Sequence, residues 1–278
     1  MTVDNIIILA AGKGTRMGEI GKDLPKVLWP LLDKTLLEWQ ILYAKSLFSN
    51  AKIHINVFNY KSKILDFVEK NKQSFKDINI IEEELELDVG GAIHNVARNL
   101  SYKGRLLILN GDQFLFFSNE LAKIKMHENE NLMMAYNVNS NMGYNALKLK
   151  DAYFESVINN SEISTNTEII TYTGMSIINL SSLEPKPGKS KFFDTVINSN
   201  QNRTKVETLN DLEYWDFGTY DRYIESVDRL LSLDTSKFSL FLKKNTTMFE
   251  GAQKEYRKNK AIVFGALRIG ADSITKDM

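Results

Sequence analysis

The stretch Ile6-Ile7-Ile8-Leu9-Ala10-Ala11-Gly12-Lys13-Gly14-Thr15-Arg16-Met17-Gly18, continued by Leu24-Pro25-Lys26-Val27-Leu28, decides the fold. Its apolar run is short and unbroken, the pattern of a strand covered on both faces in a parallel sheet. The run ends abruptly in a glycine-rich loop, with Lys13, Arg16 and Lys26 close by in sequence. Loops at the carboxyl ends of such strands are where α/β folds bind ligands. Glycine lets a backbone approach an anion, and three cations surround that point with positive charge. The stretch therefore reads as a polyphosphate site, of the kind a nucleotide fills.

Two familiar glycine motifs are excluded. A dinucleotide fingerprint needs a third glycine where Met17 stands, and no Walker A run is present.

Outward from the loop, strand and helix patterns alternate. Leu36, Leu37, Trp39, Gln40, Tyr43, Ala44 and Leu47 suit an amphipathic helix, and Ile53, Ile55 and Val57 alternate with His54 and Asn56 as in a strand. A helix with Ile64, Leu65, Phe67 and Val68 follows, then a strand over Ile78 to Ile81. Glu82-Glu83-Glu84 reads as a solvated strand edge, with one of the three a candidate to face a nucleotide base. Gly90 and Gly91 stand at the amino end of a helix whose face carries Ile93, Val96, Ala97 and Leu100. Leu106 to Leu109 form another buried strand, ending in Asn110-Gly111-Asp112. This alternation predicts a doubly wound, largely parallel sheet.

The pattern then loosens into strands at Leu132 to Val138, Ala146 to Leu149 and Glu168 to Ile178, an insertion of the type that walls a cleft. Pro185-Lys186-Pro187-Gly188 is a loop, and Tyr214, Trp215 and Phe217 mark a strand before a helix from Tyr220 to Leu231. Phe238, Leu240, Phe241, Leu242, Met248 and Phe249 suit a packed helix, followed by basic Lys254 to Lys260. Ile269 to Ile274 match a single hexapeptide of a left-handed β-helix, too little for a solenoid.

The 278 residues hold 35 Lys plus Arg and 35 Asp plus Glu, so bulk charge gives no case for nucleic acid or an anionic membrane. The absence of cysteine excludes disulfides, thiolate ligands and a cysteine nucleophile. No signal peptide or span of about 20 apolar residues is seen, and the expectation is a soluble, cytoplasmic protein without membrane insertion.

Leu9-Ala10-Ala11-Gly12-Lys13-Gly14-Thr15-Arg16-Met17 with Pro25-Lys26 resembles the signature of the sugar-1-phosphate nucleotidyltransferases. Asp88-Val89-Gly90-Gly91-Ala92-Ile93, Leu109-Asn110-Gly111-Asp112, Tyr172-Thr173-Gly174-Met175-Ser176 and Trp215-Asp216-Phe217-Gly218-Thr219 continue the resemblance in the family's order. Within the family the chain looks most like the compact N-acetylmuramate-1-phosphate uridylyltransferase type. Five ordered motifs are far more specific than any one of them.

The resemblance implies a Rossmann-like, three-layer α/β/α fold around a mixed, mostly parallel sheet, with a small β insertion on the sugar side of the cleft. It divides the chain into a catalytic domain, residues 1–231, and a C-terminal helical extension and tail, residues 232–278. The tail is a candidate for homo-oligomer contacts. The partners it implies are a nucleoside triphosphate and a sugar 1-phosphate, whose phosphate oxygen attacks the α-phosphorus. It assigns catalysis to Arg16 and Lys26. Nucleotide contacts fall to Leu9, Ala10, Ala11, Gly12, Gly14, Thr15, Arg16, Gly90, Gly91, Asn110 and Gly111. Sugar contacts fall to Tyr144, Asn145, Glu162 and Gly174, and Mg²⁺ to Asp112 and Asp216. A phosphate oxygen is already anionic near neutral pH, so no general base is required.

Two positions depart from the family pattern. A Glu-Lys-Pro segment after the insertion strand is missing near Ser161-Glu162-Ile163, which leaves either Lys148 as the replacement for its phosphate-binding lysine or a pocket built as in the compact uridylyltransferases. Val89 replaces the usual threonine. Three other functions compete. A phosphocholine cytidylyltransferase would need aromatic rings such as Tyr136, Tyr144, Tyr153 and Tyr172 gathered in a cage. A non-catalytic nucleotide-binding subunit would be expected to lose one of Arg16, Lys26, Asp112 or Asp216. A GT-A glycosyltransferase would carry Asp-x-Asp where Asp112-Gln113-Phe114 stands.

Overall fold

A computed structural model describes residues 2–198, 203–265, 267–270 and 273–276. Nine strands form the central sheet. In chain order they are β1 (Asn5–Leu9), β2 (Lys52–Val57), β3 (Ile78–Glu82), β4 (Arg105–Asn110), β5 (Glu130–Asn139), β6 (Ala146–Lys150), β7 (Tyr153–Ile158), β8 (Glu168–Asn179) and β9 (Arg203–Thr208). Their spatial order is β3-β2-β1-β4-β8-β5-β9-β7-β6. The pairs β1–β2, β1–β4 and β2–β3 are parallel, as is β5–β9. Strands β8 and β7 run against the others, which makes the sheet mixed but mostly unidirectional.

Alternate residues of the central strands feed two cores. Ile6 and Ile8 join one apolar cluster while Ile7 joins the other, and Leu107 and Leu109 are divided from Leu106 and Ile108 in the same way. A strand with no polar face can only sit where helices cover both sides of a sheet. Helix α1 (Leu36–Leu47) begins at a capping box between Thr35 and Glu38, which satisfies backbone N–H groups that the first turn leaves open. Helices α2 (Lys61–Lys70), α3 (Asp88–Asn99) and α4 (Tyr220–Ser232) complete the layers.

Several elements have weak sequence signals. β9 reads Arg-Thr-Lys-Val-Glu-Thr, a polar string that becomes a strand because β5 offers it a parallel edge. The short strands Gln113–Phe116 and Glu213–Asp216 pair antiparallel beneath the cleft, with Asp216 opposite Gln113. Strand β2 does not present His54 and Asn56 to solvent, as its alternation suggested. Both are buried, because β2 lies inside the sheet between β1 and β3.

After Ser232 the chain forms two helices, α5 (Lys237–Asn245) and α6 (Phe249–Asn259), not one. It then turns to three short antiparallel strands, Ala261–Phe264, Leu267–Gly270 and Ile274–Lys276. Ile269 pairs directly with Ile274, so the hexapeptide belongs to a hairpin and not to a β-helix coil. Its Ala271 and Asp272 lie outside the described residues. Among the described residues no helix is long and apolar enough to cross a membrane.

Phe238 of α5 ties this terminal segment to the body of the fold. Its ring lies 4.9 Å from Phe114, 5.2 Å from Phe116 and 5.4 Å from Trp215, and it is 0 % exposed. Phe238→Ala would leave a cavity beneath the short strand pair and is expected to cost about 3–5 kcal/mol. Chemical denaturation measures that loss. A change below about 1 kcal/mol would mean that the segment contributes little to this core.

Candidate active site

The site opens where β1 ends. The Ala10 N–H donates to Asn56 Oδ1 at 2.9 Å, and Asn59 Nδ2 donates to the Ala11 carbonyl at 2.8 Å, so β2 and the loop after it hold the first loop from one side. Gly14 has φ 63°, a left-handed conformation that suits glycine, and leads into a 3-10 turn over Thr15–Met17. Met17 is fully buried. The residue that rules out a dinucleotide fingerprint therefore pins this loop into the core.

Gly111 closes the gap between β1 and β4. A Cβ there would lie 2.7 Å from the Leu9 carbonyl oxygen and 2.9 Å from Val27 Cγ1. The next residue, Asp112, forms an ion pair with Lys26. Asp216 is brought beside it by the short strand pair and by the Phe217 N–H, which donates to the Asp112 carbonyl at 2.8 Å. One Asp216 oxygen accepts the Gly218 N–H at 2.7 Å, and the other pairs with Arg222 Nη1 at 2.7 Å. A Cβ on Gly218 would lie 2.7 Å from Asp216 Oδ1 and 2.9 Å from Asp112 Oδ2, so the two carboxylates converge on one point. Thr219, not Asp216, caps α4.

This donor set fits a hard divalent cation such as Mg²⁺. Two carboxylates supply protein oxygens, and an ion of this type takes its remaining ligands from water and substrate phosphates. Among the described residues no group of three or more His, Asp and Glu gathers to make a complete protein cage.

Two cavities lie next to each other here, and Asp112 lines the larger one. The larger, about 440 Å³, is lined by Leu9, Ala11, Gly12, Lys13, Arg16 and Lys26 on one wall. Its other wall includes Asn56, Glu83, Glu86, Val89 and Lys189. Lys13 reaches across to Glu86 at 3.1 Å, with Lys189 3.5 Å from the same carboxylate. The second cavity, about 350 Å³, is lined by Tyr144, Tyr172, Phe192, Phe193, Tyr214 and Gly174 among others. The two share Leu9, Val89, Asn110 and Gln113. Asn110 Nδ2 donates to Gln113 Oε1 at 2.6 Å, and Gly174, at φ +89°, leaves room for this pair.

Of the nucleotide residues expected from sequence, Leu9, Ala11, Gly12, Arg16 and Asn110 line the larger cavity. Gly14 and the Thr15 backbone shape the loop, and Gly111 sits beneath it. Gly90 and Gly91 pack elsewhere. A Cβ on Gly90 would meet the Lys191 carbonyl at 2.5 Å, and the Gly91 N–H donates to the Ser190 carbonyl at 3.1 Å. They let α3 approach the chain around residues 188–191. On the other side, Tyr144 and Gly174 line the second cavity, whereas Asn145 accepts from the Asn160 N–H at 2.9 Å and Glu162 from Asn159 at 2.7 Å, both at exposed positions.

Asn56, Glu83, Gln113, Lys189 and Tyr214 line the cleft, and Arg222 pairs with Asp216, none of them having been singled out as site residues. Glu83 is not part of a solvated edge. It is 5 % exposed, accepts from Asn56 Nδ2 at 2.7 Å, and burial raises its pKa against that hydrogen bond. Asn56, a polar residue one place from the end of this strand and beside apolar Ile55 and Val57, was the available signal.

Residues 5–232 match the family model described as nucleotidyl transferase. The bifunctional protein GlmU of Buchnera aphidicola is 30% identical over 222 residues, which cover 75% of this chain and 46% of that protein. A D-glycero-alpha-D-manno-heptose 1-phosphate guanylyltransferase of Campylobacter jejuni is 37% identical over 127 residues, 45% of this chain and 53% of that one. The chain thus spans about half the length of these curated relatives. The crystal structure of HddC from Yersinia pseudotuberculosis shares the fold, with a TM-score of 0.65 and 19% identity over 81% of this chain and 99% of that chain.

Two outcomes follow from the geometry. Gly218→Ala would push the carboxylates apart and is expected to weaken Mn²⁺ binding by about tenfold or more, read by water-proton relaxation, with an unchanged circular dichroism spectrum. Unchanged Mn²⁺ affinity would remove the pair as a cation site. For Glu83, the raised folded pKa means that the native state keeps its proton longer than the unfolded chain. Its contribution is therefore lost as pH rises from the ordinary carboxylate range through the folded pKa. Glu83→Gln should flatten that window and raise stability at pH 7. Denaturation at pH 4 and pH 7 tests it, and equal pH slopes for the two proteins would contradict it.

Proposed function

Because the chain belongs to the nucleotidyl transferase family, we propose that it transfers a nucleoside monophosphate from a nucleoside triphosphate to a sugar 1-phosphate, releasing pyrophosphate. One observation carries this reading. A cation-lined cavity, with Lys26 and Asp112 on its wall, meets an aromatic-lined cavity at Leu9, Val89, Asn110 and Gln113, and Asp216 is paired across the short strands with that Gln113.

The triphosphate lies along the first loop, where backbone N–H groups from Gly12 to Thr15 face its oxygens and Arg16 holds the β- and γ-phosphates. A planar guanidinium suits two-point phosphate contact. Lys26 stands between the α-phosphate and the incoming acceptor. An acceptor phosphate oxygen forms a bond to the α-phosphorus, and the bond from that phosphorus to the β-phosphate bridging oxygen breaks. Pyrophosphate leaves with the bonding electron pair, and no proton needs to move. The barrier comes from crowding anions together, so fixed charge and positioning supply most of the rate. Asp112 and Asp216 would hold Mg²⁺, which when bound neutralises charge on the reacting phosphates.

Glu83 lies at the far wall of the nucleotide cavity, and an ionised carboxylate only accepts hydrogen bonds. It therefore favours a base that turns N–H donors toward it. Guanine offers two neighbouring donors on one edge, whereas uracil offers one.

The acceptor cavity supports a second reading. Tyr144, Tyr172, Phe192, Phe193 and Tyr214 line it, a set that would also surround a quaternary ammonium such as that of phosphocholine. Tyr136 stands behind, stacked on Tyr214 at 5.7 Å, and Tyr153 bonds Glu130 away from the cavity.

Purified protein with Mg²⁺ is expected to release pyrophosphate from GTP or UTP with a hexose, hexosamine or heptose 1-phosphate. Asp112→Asn should cut turnover on the order of a hundredfold or more with the fold intact. The preferred triphosphate at a hundred times its Kd should stabilise the protein by about 2.7 kcal/mol in a thermal-shift screen. Turnover of phosphocholine with CTP in place of every sugar 1-phosphate selects the second reading. No release from any pair rejects both.

A further inference from the structure

The acceptor cavity has an unusual charge distribution. Four cations line the nucleotide cavity, Lys13, Arg16, Lys26 and Lys189, but no lysine or arginine lines the acceptor cavity among the described residues. A phosphate monoester carries up to two negative charges and must come beside two aspartates. Lys148, the replacement suggested by sequence, pairs with Glu155 at 2.7 Å on the exposed β6–β7 hairpin. It is engaged away from the cavity.

Arg222 stands nearer. It lies in the first turn of α4, with its guanidinium on Asp216 and within electrostatic reach of Tyr144 and Tyr214, two rings of the acceptor cavity. The Asp216 side chain is 9% exposed, while that of Arg222 is 41% exposed. The guanidinium thus covers a buried carboxylate from the open side. A buried carboxylate needs a positive partner, and either an arginine or a divalent cation can serve. Arg222 holds Asp216 Oδ2, while Oδ1 converges with Asp112 at Gly218. A cation between the carboxylates would therefore sit on the same carboxylate as the guanidinium and be repelled by it.

We propose that Arg222 exchanges partners: it holds Asp216 in the free protein and passes to the acceptor's phosphate when that carboxylate turns to a divalent cation. This rests on the proposed nucleotidyl transfer. Arg222 is then a positioning residue that waits on a metal ligand and, once displaced, presents its donors to the acceptor. One side chain would neutralise Asp216 without metal and supply the missing acceptor-side charge with it. Loading of the metal and affinity for the acceptor become coupled, since each favours the released arginine.

The test needs a measurement that does not depend on turnover. Mn²⁺ is titrated into the free full-length protein and followed by water-proton relaxation, for wild type, Arg222→Ala, Arg222→Lys and Lys148→Ala. Arg222→Ala removes a competitor and is expected to bind Mn²⁺ roughly fivefold tighter, with Arg222→Lys between it and wild type. In steady-state assays Arg222→Ala should raise the acceptor KM by about tenfold or more and leave the triphosphate KM within about twofold. Lys148→Ala should change neither constant. Equal or weaker Mn²⁺ binding by Arg222→Ala would overturn the exchange, because a merely structural arginine supports the site when present. A triphosphate KM that rises as much as the acceptor KM would overturn it too, as would a raised acceptor KM in Lys148→Ala alone. Wild type that releases no pyrophosphate from any pair rejects the proposed function, and the Mn²⁺ titration still decides whether Arg222 competes for Asp216.

Discussion

Two carboxylates, Asp112 and Asp216, are brought within reach of a single point, and the cleft is built around the cost of doing so. Like charges this close are tolerated only when opposite charge sits beside them. Lys26 answers Asp112 from the first loop, and Arg222 answers Asp216 from α4. Gly218 fits between the carboxylates because it has no side chain. The short strand pair fixes their spacing, and an aromatic layer of Phe114, Trp215, Phe217 and Phe238 supports that pair from below. Rigid packing under a charged site limits how far it can relax.

The same economy appears in the glycines. Gly111 lets the ends of β1 and β4 approach, and Gly174 leaves room for the Asn110–Gln113 pair that separates the cavities. Gly90 and Gly91 serve a structural approach between α3 and the chain near Ser190, leaving Glu83, Leu87, Asp88 and Val89 to face the larger cavity. A short polar chain from the Ala10 amide through Asn56 to Glu83 links the first loop to the opposite wall. A change at Glu83 can therefore reach the loop through two hydrogen bonds.

Much of this was legible in residue order. The apolar run of β1, the alternation through β4, the α1 and α4 helices and the loop cations all followed from local patterning, because burial on two faces and helix amphipathicity leave strong periodic signals. The five ordered motifs led to the family that residues 5–232 match. What local pattern could not show were elements whose stability comes from partners distant in sequence. β9 is polar and depends on β5, while the Gln113–Phe116 strand depends on Glu213–Asp216, about a hundred residues away. Glu83 looked solvated within three glutamates, and only its neighbours reveal that it is buried.

The sequence by itself determined the layer architecture, the glycine-rich loop after β1 and the family, since these depend on local periodicity and on motifs read in order. Tertiary structure alone decided which charges meet. It set Lys26 on Asp112 and Arg222 on Asp216, left the second cavity aromatic and without lysine or arginine among the described residues, and held Lys148 on Glu155 at the edge. Electrostatic interaction depends on distance through space, and residues separated by 86 positions, such as Lys26 and Asp112, become neighbours only when the sheet assembles.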